Sequence, residues 1–322
     1  MFAPTRRRPW RHKGKLSGTI RKSTDNAPGK GTSTDQLVSA HPGLIPQLSG
    51  RLTRHRIWGA CIFVDHFSDF FFLHLMQSIS DEETLAAKTA YESFAATHGV
   101  TIHHYRADNG TYGDASFLNA IKDSNQTLDF CGVGGHHQNG IAESSIKRLT
   151  LATRTMLLHA KRNWPEAITT MLWCYALREA VRRHNILSAN VDGQTPAALF
   201  CSTPSTFFLK DFHTWGCPCF VLDPRLQSSQ IGPQKWDPRS RLGIYLGRSP
   251  FHASNVALVL NPASGHISPQ YHVTFDGHFT TVPFMRSGSI PPNWKMLVDE
   301  SSEYTTSEFF SESMVYSIIF NK

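Results

Sequence analysis

Three carboxylates stand where secondary-structure elements should begin, pair or end: Asp35, Asp108 and Glu143. Asp35 lies in the strand-like run "STDQLVSA" (33–40). Asp108 closes "VTIHHYRAD" (100–108) and precedes the turn pair Asn109-Gly110. Glu143 falls on the first turn of a helix that begins at Asn139-Gly140. If the first and fourth strands are neighbours, Asp35 and Asp108 lie side by side near the middle of a sheet. A helix packed on that sheet can then bring Glu143 to them. Three carboxylates together repel and cannot all stay ionised unless a cation joins them. Hard oxygen ligands with open positions suit Mg2+ or Mn2+. Two such ions roughly 3.5–4 Å apart would clamp the attacking and leaving oxygens of a phosphodiester. The chemistry implied is metal-assisted phosphoryl transfer on nucleic acid. The plainer alternative is three surface acids in turn and helix-start roles, which are common.

Positive charge surrounds the third acid. Lys147 follows Glu143 at i+4 on the same helix face, and Arg148 lies beside that face. Both suit contact with DNA phosphates. Asn139 at the helix start and His137 (with His136) in the glycine-rich loop before it are placed against DNA as well, with polar loop roles as the alternative. Lys161, Arg162, Arg178, Arg182 and Arg183 either extend the track or form a solvated face. The formal net charge is +7. Residues 1–56 alone carry twelve Lys and Arg against two Asp, an arm suited to a polyanion.

Three apolar runs, "STDQLVSA" (33–40), "IWGACIFVDHFS" (57–68) and "DFFFLHLMQ" (69–77), predict strands, the last two joined as a hairpin. Residues 41–56, with Pro42, Gly43, Pro46 and Gly50, read as a turn-rich connection. Ser80 and Glu83 form a capping box that opens a helix ending at Gly99. A strand over 100–108, a helix over 114–124 and a strand over 127–133 follow. A long helix runs from about Gly140 to Lys161, and Trp164-Pro165 opens another to about His184. Three meandering strands followed by alternation predict a mixed sheet flanked by helices. Residues 207–282 hold short β-rich runs separated by turn residues and predict a small all-β domain.

Hydrophobic residues make up 40% of the 322, enough for a core, so wholly disordered chains are excluded. No apolar stretch is long enough to cross a bilayer, and no apolar segment follows the basic N-terminus as in a signal peptide. The six cysteines read as reduced thiols, several of them in apolar runs. Cys217-x-Cys219 with His213 lacks the longer ligand spacing of structural zinc sites and reads as two alternate positions on one strand.

"YRADNG" followed by "HHQNGIAES" resembles the integrase catalytic core of copia-type LTR retrotransposons, a retroviral-integrase relative with the RNase H-like fold. That family places its second acid in a D-N-G turn and its third in N-G-x-A-E, here Asp108 and Glu143. Its first acid lies on strand one, before a hairpin strand with a V-D-x-x-S pattern. "STDQLVSAHPGLIPQ" and "IFVDHFSDF" keep that order, so the first acid is Asp35, with Asp65 on strand two as the competing choice. "GQTPAALF" (193–200) resembles the end of the family's core, and the β-rich segment after it resembles the SH3-like domain of copia-type polyproteins. The separation of Asp108 from Glu143 is one residue shorter than usual, and Ser144 stands where Arg is frequent. No zinc module precedes the core and no reverse transcriptase follows it, so a piece of an element is expected.

The resemblance implies an α/β, RNase H-like five-stranded mixed sheet with flanking helices, plus a C-terminal all-β SH3-like barrel. The expected division is a basic disordered arm (1–30), the catalytic core (31–203), the SH3-like domain (204–285) and a disordered tail (286–322). It implies a polynucleotidyl transferase that processes DNA 3′ ends and joins them to target DNA with Mg2+ or Mn2+. Asp35, Asp108 and Glu143 would be both catalytic and metal-holding. Asn139, Lys147, Arg148 and His137 would contact double-stranded DNA, of the element ends and the target. Homo-oligomerisation and an intracellular, nuclear location are expected, with the cytoplasm as the alternative. The other expectations are an inactive remnant that only binds nucleic acid and a metal-dependent nuclease of the same fold.

Overall fold

The computed structural model describes residues 25–45, 55–131, 139–202, 211–226, 233–250, 252–285, 288–291 and 294. The N-terminal arm up to residue 24, His136, His137 and residues 295–322 lie outside the described residues.

Strands β1 (Thr32–Leu44), β2 (Arg56–Asp65) and β3 (Phe71–Met76) form an antiparallel meander. Helix α1 (Asp81–Thr97) follows, then β4 (His104–Ala107), α2 (Ala115–Asp123) and β5 (Thr127–Phe130). β4 lies parallel to β1, and β5 parallel to β4. The strand order β3-β2-β1-β4-β5 makes the five-stranded mixed sheet with flanking helices expected from the sequence. The long helix α3 (Gly140–Asn163), α4 (Trp173–Leu187) and the short α5 (Pro196–Cys201) complete this part.

The two faces of the sheet bury different sets, as the two-residue period of a strand requires. Ile62 and Val64 of β2 join a core with Ile146 and Leu149 of α3 and much of α4. Cys61 and Phe63 join a second core with Tyr91 of α1 and Phe117 of α2. Because both faces are covered, β2 is apolar without alternation.

The second sheet is antiparallel throughout, in the order β10-β6-β7-β8-β9, with β6 (Pro218–Leu222), β7 (Ser240–Arg248), β8 (Ala257–Leu260), β9 (Ile267–Gln270) and β10 (Val273–Phe275). It packs on the α3–α4 layer, and one apolar core runs from Ile62 through Leu177 to Ile244. At the junction Gly216 has φ +76°, and an added Cβ would stand 2.6 Å from the Ala160 Cβ. Glycine is needed there for conformation and for close approach.

Two of the boundaries that differ from expectation involve proline. β1 runs on to Leu44, through Pro42 and Gly43. The ladder with β2 is broken between Val38 and Gly43, so Pro42 sits where no ladder bond is required. Trp164-Pro165 does not open α4. The Trp164 N–H donates to Ala160 O and closes α3, and α4 begins eight residues after Pro165. Proline is common just past a helix end as well as at a helix start.

Candidate active site

Asp35 pairs with Ile62 in the β1–β2 ladder. Directly opposed residues share a face, so Asp35 looks toward the α3 layer. The parallel β1–β4 register pairs Ser33 with Arg106. Continued by two residues, it sets Asp108 beside Asp35. Asp108 lies just past β4, exposed, and its Oδ1 accepts from the Gly110 N–H at 3.3 Å. That Asx-type turn is why a D-N-G sequence ends the strand there. Glu143 is exposed on the first turn of α3.

Asp35 senses the other two acids. Burial, and then the Asp108 and Glu143 carboxylates, push the Asp35 carboxyl up to about 7, opposed by the Gln36 N–H that donates to its Oδ1 at 2.8 Å. A largely buried carboxyl facing two like charges holds its proton for these reasons. Among the described residues, no group of three or more His, Cys, Asp or Glu stands so as to hold a metal ion. The acids thus interact electrostatically without forming a closed ligand cluster.

Asn139 is where the structure departs most from a DNA-facing role. It is 2% exposed, and its side-chain N–H donates to Thr34 O at 3.1 Å. It ties the start of α3 to the residue before Asp35. Lys147 is exposed, as a phosphate contact needs. Arg148 is exposed too, but its guanidinium is engaged. It donates to both carboxylate oxygens of Asp69 at 3.1–3.3 Å and lies over the Phe71 ring. Arg182 and Arg183 serve neither a track nor a solvated face. Both donate to Glu179, 2% exposed, at 2.8 Å, and Arg183 also donates to His213 O at 2.7 Å. They join α4 to the chain that leads into the second sheet.

Asp65 is satisfied as a structural acid. Its Oδ1 accepts from Gly29 N–H at 2.7 Å, and its Oδ2 from Ser68 N–H at 2.8 Å and Ser68 Oγ at 2.6 Å. Its register partner is Thr32, three residues from Asp35. An odd offset on a strand puts it on the opposite face, and its charge acts on Tyr91 of α1.

Sequence reasoning missed Cys131. It lies just past β5, and its thiol is raised first by burial and then, against Arg106, by Asp108, Glu143 and Asp35. The signal was present in the parallel β4–β5 register, which carries Cys131 alongside Asp108. The six cysteines are free thiols. No helix of the described residues is long and apolar enough to cross a membrane.

No protein-family model matches the chain, and no curated protein matches it. Among solved structures it is similar to the HTLV-2 integrase catalytic core domain in complex with magnesium, in a dimeric form. The identity is 14%, the TM-score 0.40, and the match covers 54% of this chain and 98% of that one. It is also similar to the simian T-cell lymphotropic virus intasome in complex with PP2A regulatory subunit B56 gamma, at 14% identity and a TM-score of 0.41, over 77% of this chain and 79% of that one. For the catalytic core domain of BIV integrase the identity is 13% and the TM-score 0.38, over 54% and 95%.

Proposed function

We propose that this protein is an integrase-type polynucleotidyl transferase of the copia kind, with Asp35, Asp108 and Glu143 as its reacting centre. The observation that carries the reading is the placement of Asp35 on the β1 face covered by α3, whose first turn bears Glu143, beside the end of β4 that leads into Asp108. Three hard oxygen donors that repel one another fit Mg2+ or Mn2+ in donor chemistry. When bound, such a cation supplies charge for a phosphodiester's attacking and leaving oxygens. The chain's own part is positional. β1 carries Asp35, the turn that follows β4 carries Asp108, Asn139 anchors the helix bearing Glu143, and Lys147 offers a cation to a nearby phosphate.

In this reading residues 31–203 are the catalytic core and 204–285 an SH3-like domain, flanked by a basic arm (1–30) and a tail (286–322). The partner is double-stranded DNA, both element ends and target. The protein self-associates and works in the nucleus.

One observation favours a second reading, nucleic-acid binding without turnover: among the described residues no three acids stand close enough to hold a metal. Against it, mutual repulsion separates carboxylates, and a divalent cation reverses the sign of that interaction. The test incubates the full chain with end-labelled duplex and Mn2+. Joined product is expected. Cut product alone would make it a nuclease, and a gel shift with neither product a binding protein.

A further inference from the structure

The second sheet holds a cavity of about 600 Å³ between β6, β7 and β10, with none of the three acids in its lining. Its lining includes four aromatic side chains, two histidines, and one arginine with one aspartate, Arg248 and Asp211. The His213 ring lies flat on Phe275, with centroids 3.6 Å apart, and Tyr245 meets Phe275 edge-on at 5.0 Å. Tyr271, 59% exposed, stands at the rim. Arg248 also lines the cavity, and its Nε is buried with no hydrogen-bond partner. The charged groups around it are Arg182, which is committed to Glu179, and Asp211, which has no hydrogen bond to Arg248. A buried guanidinium nitrogen without a partner, beside a second cation, is an unfavourable arrangement that an anion relieves. A cationic ligand would add to the repulsion, and Asp211 offsets it only in part.

We propose that this cavity binds an unpaired nucleotide, with its phosphate on Arg248 and its base against the aromatic rim at Tyr271. Arginine with ring faces is the usual platform for single-stranded nucleic acid, and the volume lies in the range of small-ligand sites. This goes beyond the proposed reaction and does not depend on it, because binding can be read without metal or turnover.

The test titrates the full chain with 5′-dAMP, deoxyadenosine or inorganic phosphate, with no divalent cation present, and follows binding by calorimetry and saturation-transfer NMR. Expected is that dAMP binds at least about tenfold more tightly than either fragment. Arg248→Gln and Tyr271→Ala should each weaken dAMP by about tenfold or more, whereas Lys122→Gln on α2 should not. Tyr271→Ala removes an exposed ring, so it tests the site even if Arg248→Gln disturbs folding. Equal affinity for phosphate and dAMP, binding indifferent to both variants, or no binding at millimolar dAMP would overturn the proposal.

Discussion

The side-chain amide of Asn139 donates to the main-chain carbonyl of Thr34 across 3.1 Å, joining the start of the helix that carries Glu143 to the residue before Asp35. The bond spans 105 positions of sequence and is buried, so it fixes one acid-bearing element against another. The Asn139 Oδ1 has no partner. Asn139→Ala should lower stability by about 1–2 kcal/mol, the cost of a lost buried hydrogen bond. Asn139→Asp should lower it further, because a carboxylate cannot donate to Thr34 O and adds a fourth negative charge near the other three. Thermal melts of the two variants check the order. If Asn139→Asp is as stable as wild type, the bond does not hold the helix.

Asp35 gives a pH dependence of defined sign. Its carboxyl is raised from 3.8 to about 7 in the folded chain. A raised carboxyl binds its proton more tightly folded than unfolded, so its favourable contribution is complete below about pH 4 and is lost as pH rises through 7. Wild-type stability should therefore fall between pH 5 and 8. Asp35→Asn should remove most of that slope and be the more stable protein at pH 8, by about 1–3 kcal/mol. Urea titrations at the two pH values measure it. Parallel pH slopes for the two proteins would show that Asp35 titrates normally.

The local structure around two of the three proposed acids could be read from the sequence, because Asp108 and Glu143 each sit beside a short-range signal. The D-N-G turn after Asp108 and the Asn139-Gly140 helix start are short-range chemistry, and Ser80 caps α1 by accepting from Glu83 N–H as its capping box implies. What escaped depends on partners far away in sequence. Arg148 looks like a phosphate contact until Asp69, at φ +56° in the β2–β3 hairpin, is brought to it. Asn139 looks like a loop amide until Thr34 lies beneath it. The extension of β1 past Pro42 was hidden because proline normally ends a ladder, and only the register break beside it shows why it is tolerated.

Glu179 should be the costliest single acid to remove. It is 2% exposed and accepts from Arg182 and Arg183 at 2.8 Å each. Removing one side of a buried pair leaves uncompensated charge, at about 3–5 kcal/mol. Glu179→Ala should lose that much and loosen the second sheet from α4, seen as faster amide exchange in β7. Arg178→Gln, on the same helix, serves as the control and should change stability by less than about 0.5 kcal/mol.

Asp35 and Asp65 lie on opposite faces of one sheet, so substituting each in turn tests the role proposed for Asp35. Asp65 accepts three hydrogen bonds, and its replacement by Ala should cost about 2–3 kcal/mol of stability. At a temperature where Asp65→Ala is folded, strand joining should persist. Asp35→Asn should stay folded and drop joining to background. Mn2+ should raise the melting temperature of wild type and of Asp65→Ala, reaching about 2.7 kcal/mol of added stability at a hundredfold excess over its dissociation constant. It should have little effect on Asp35→Asn. The reverse pattern, with Mn2+ acting on Asp35→Asn but not on Asp65→Ala, would move the reacting centre to the α1 face and end the assignment of Asp35.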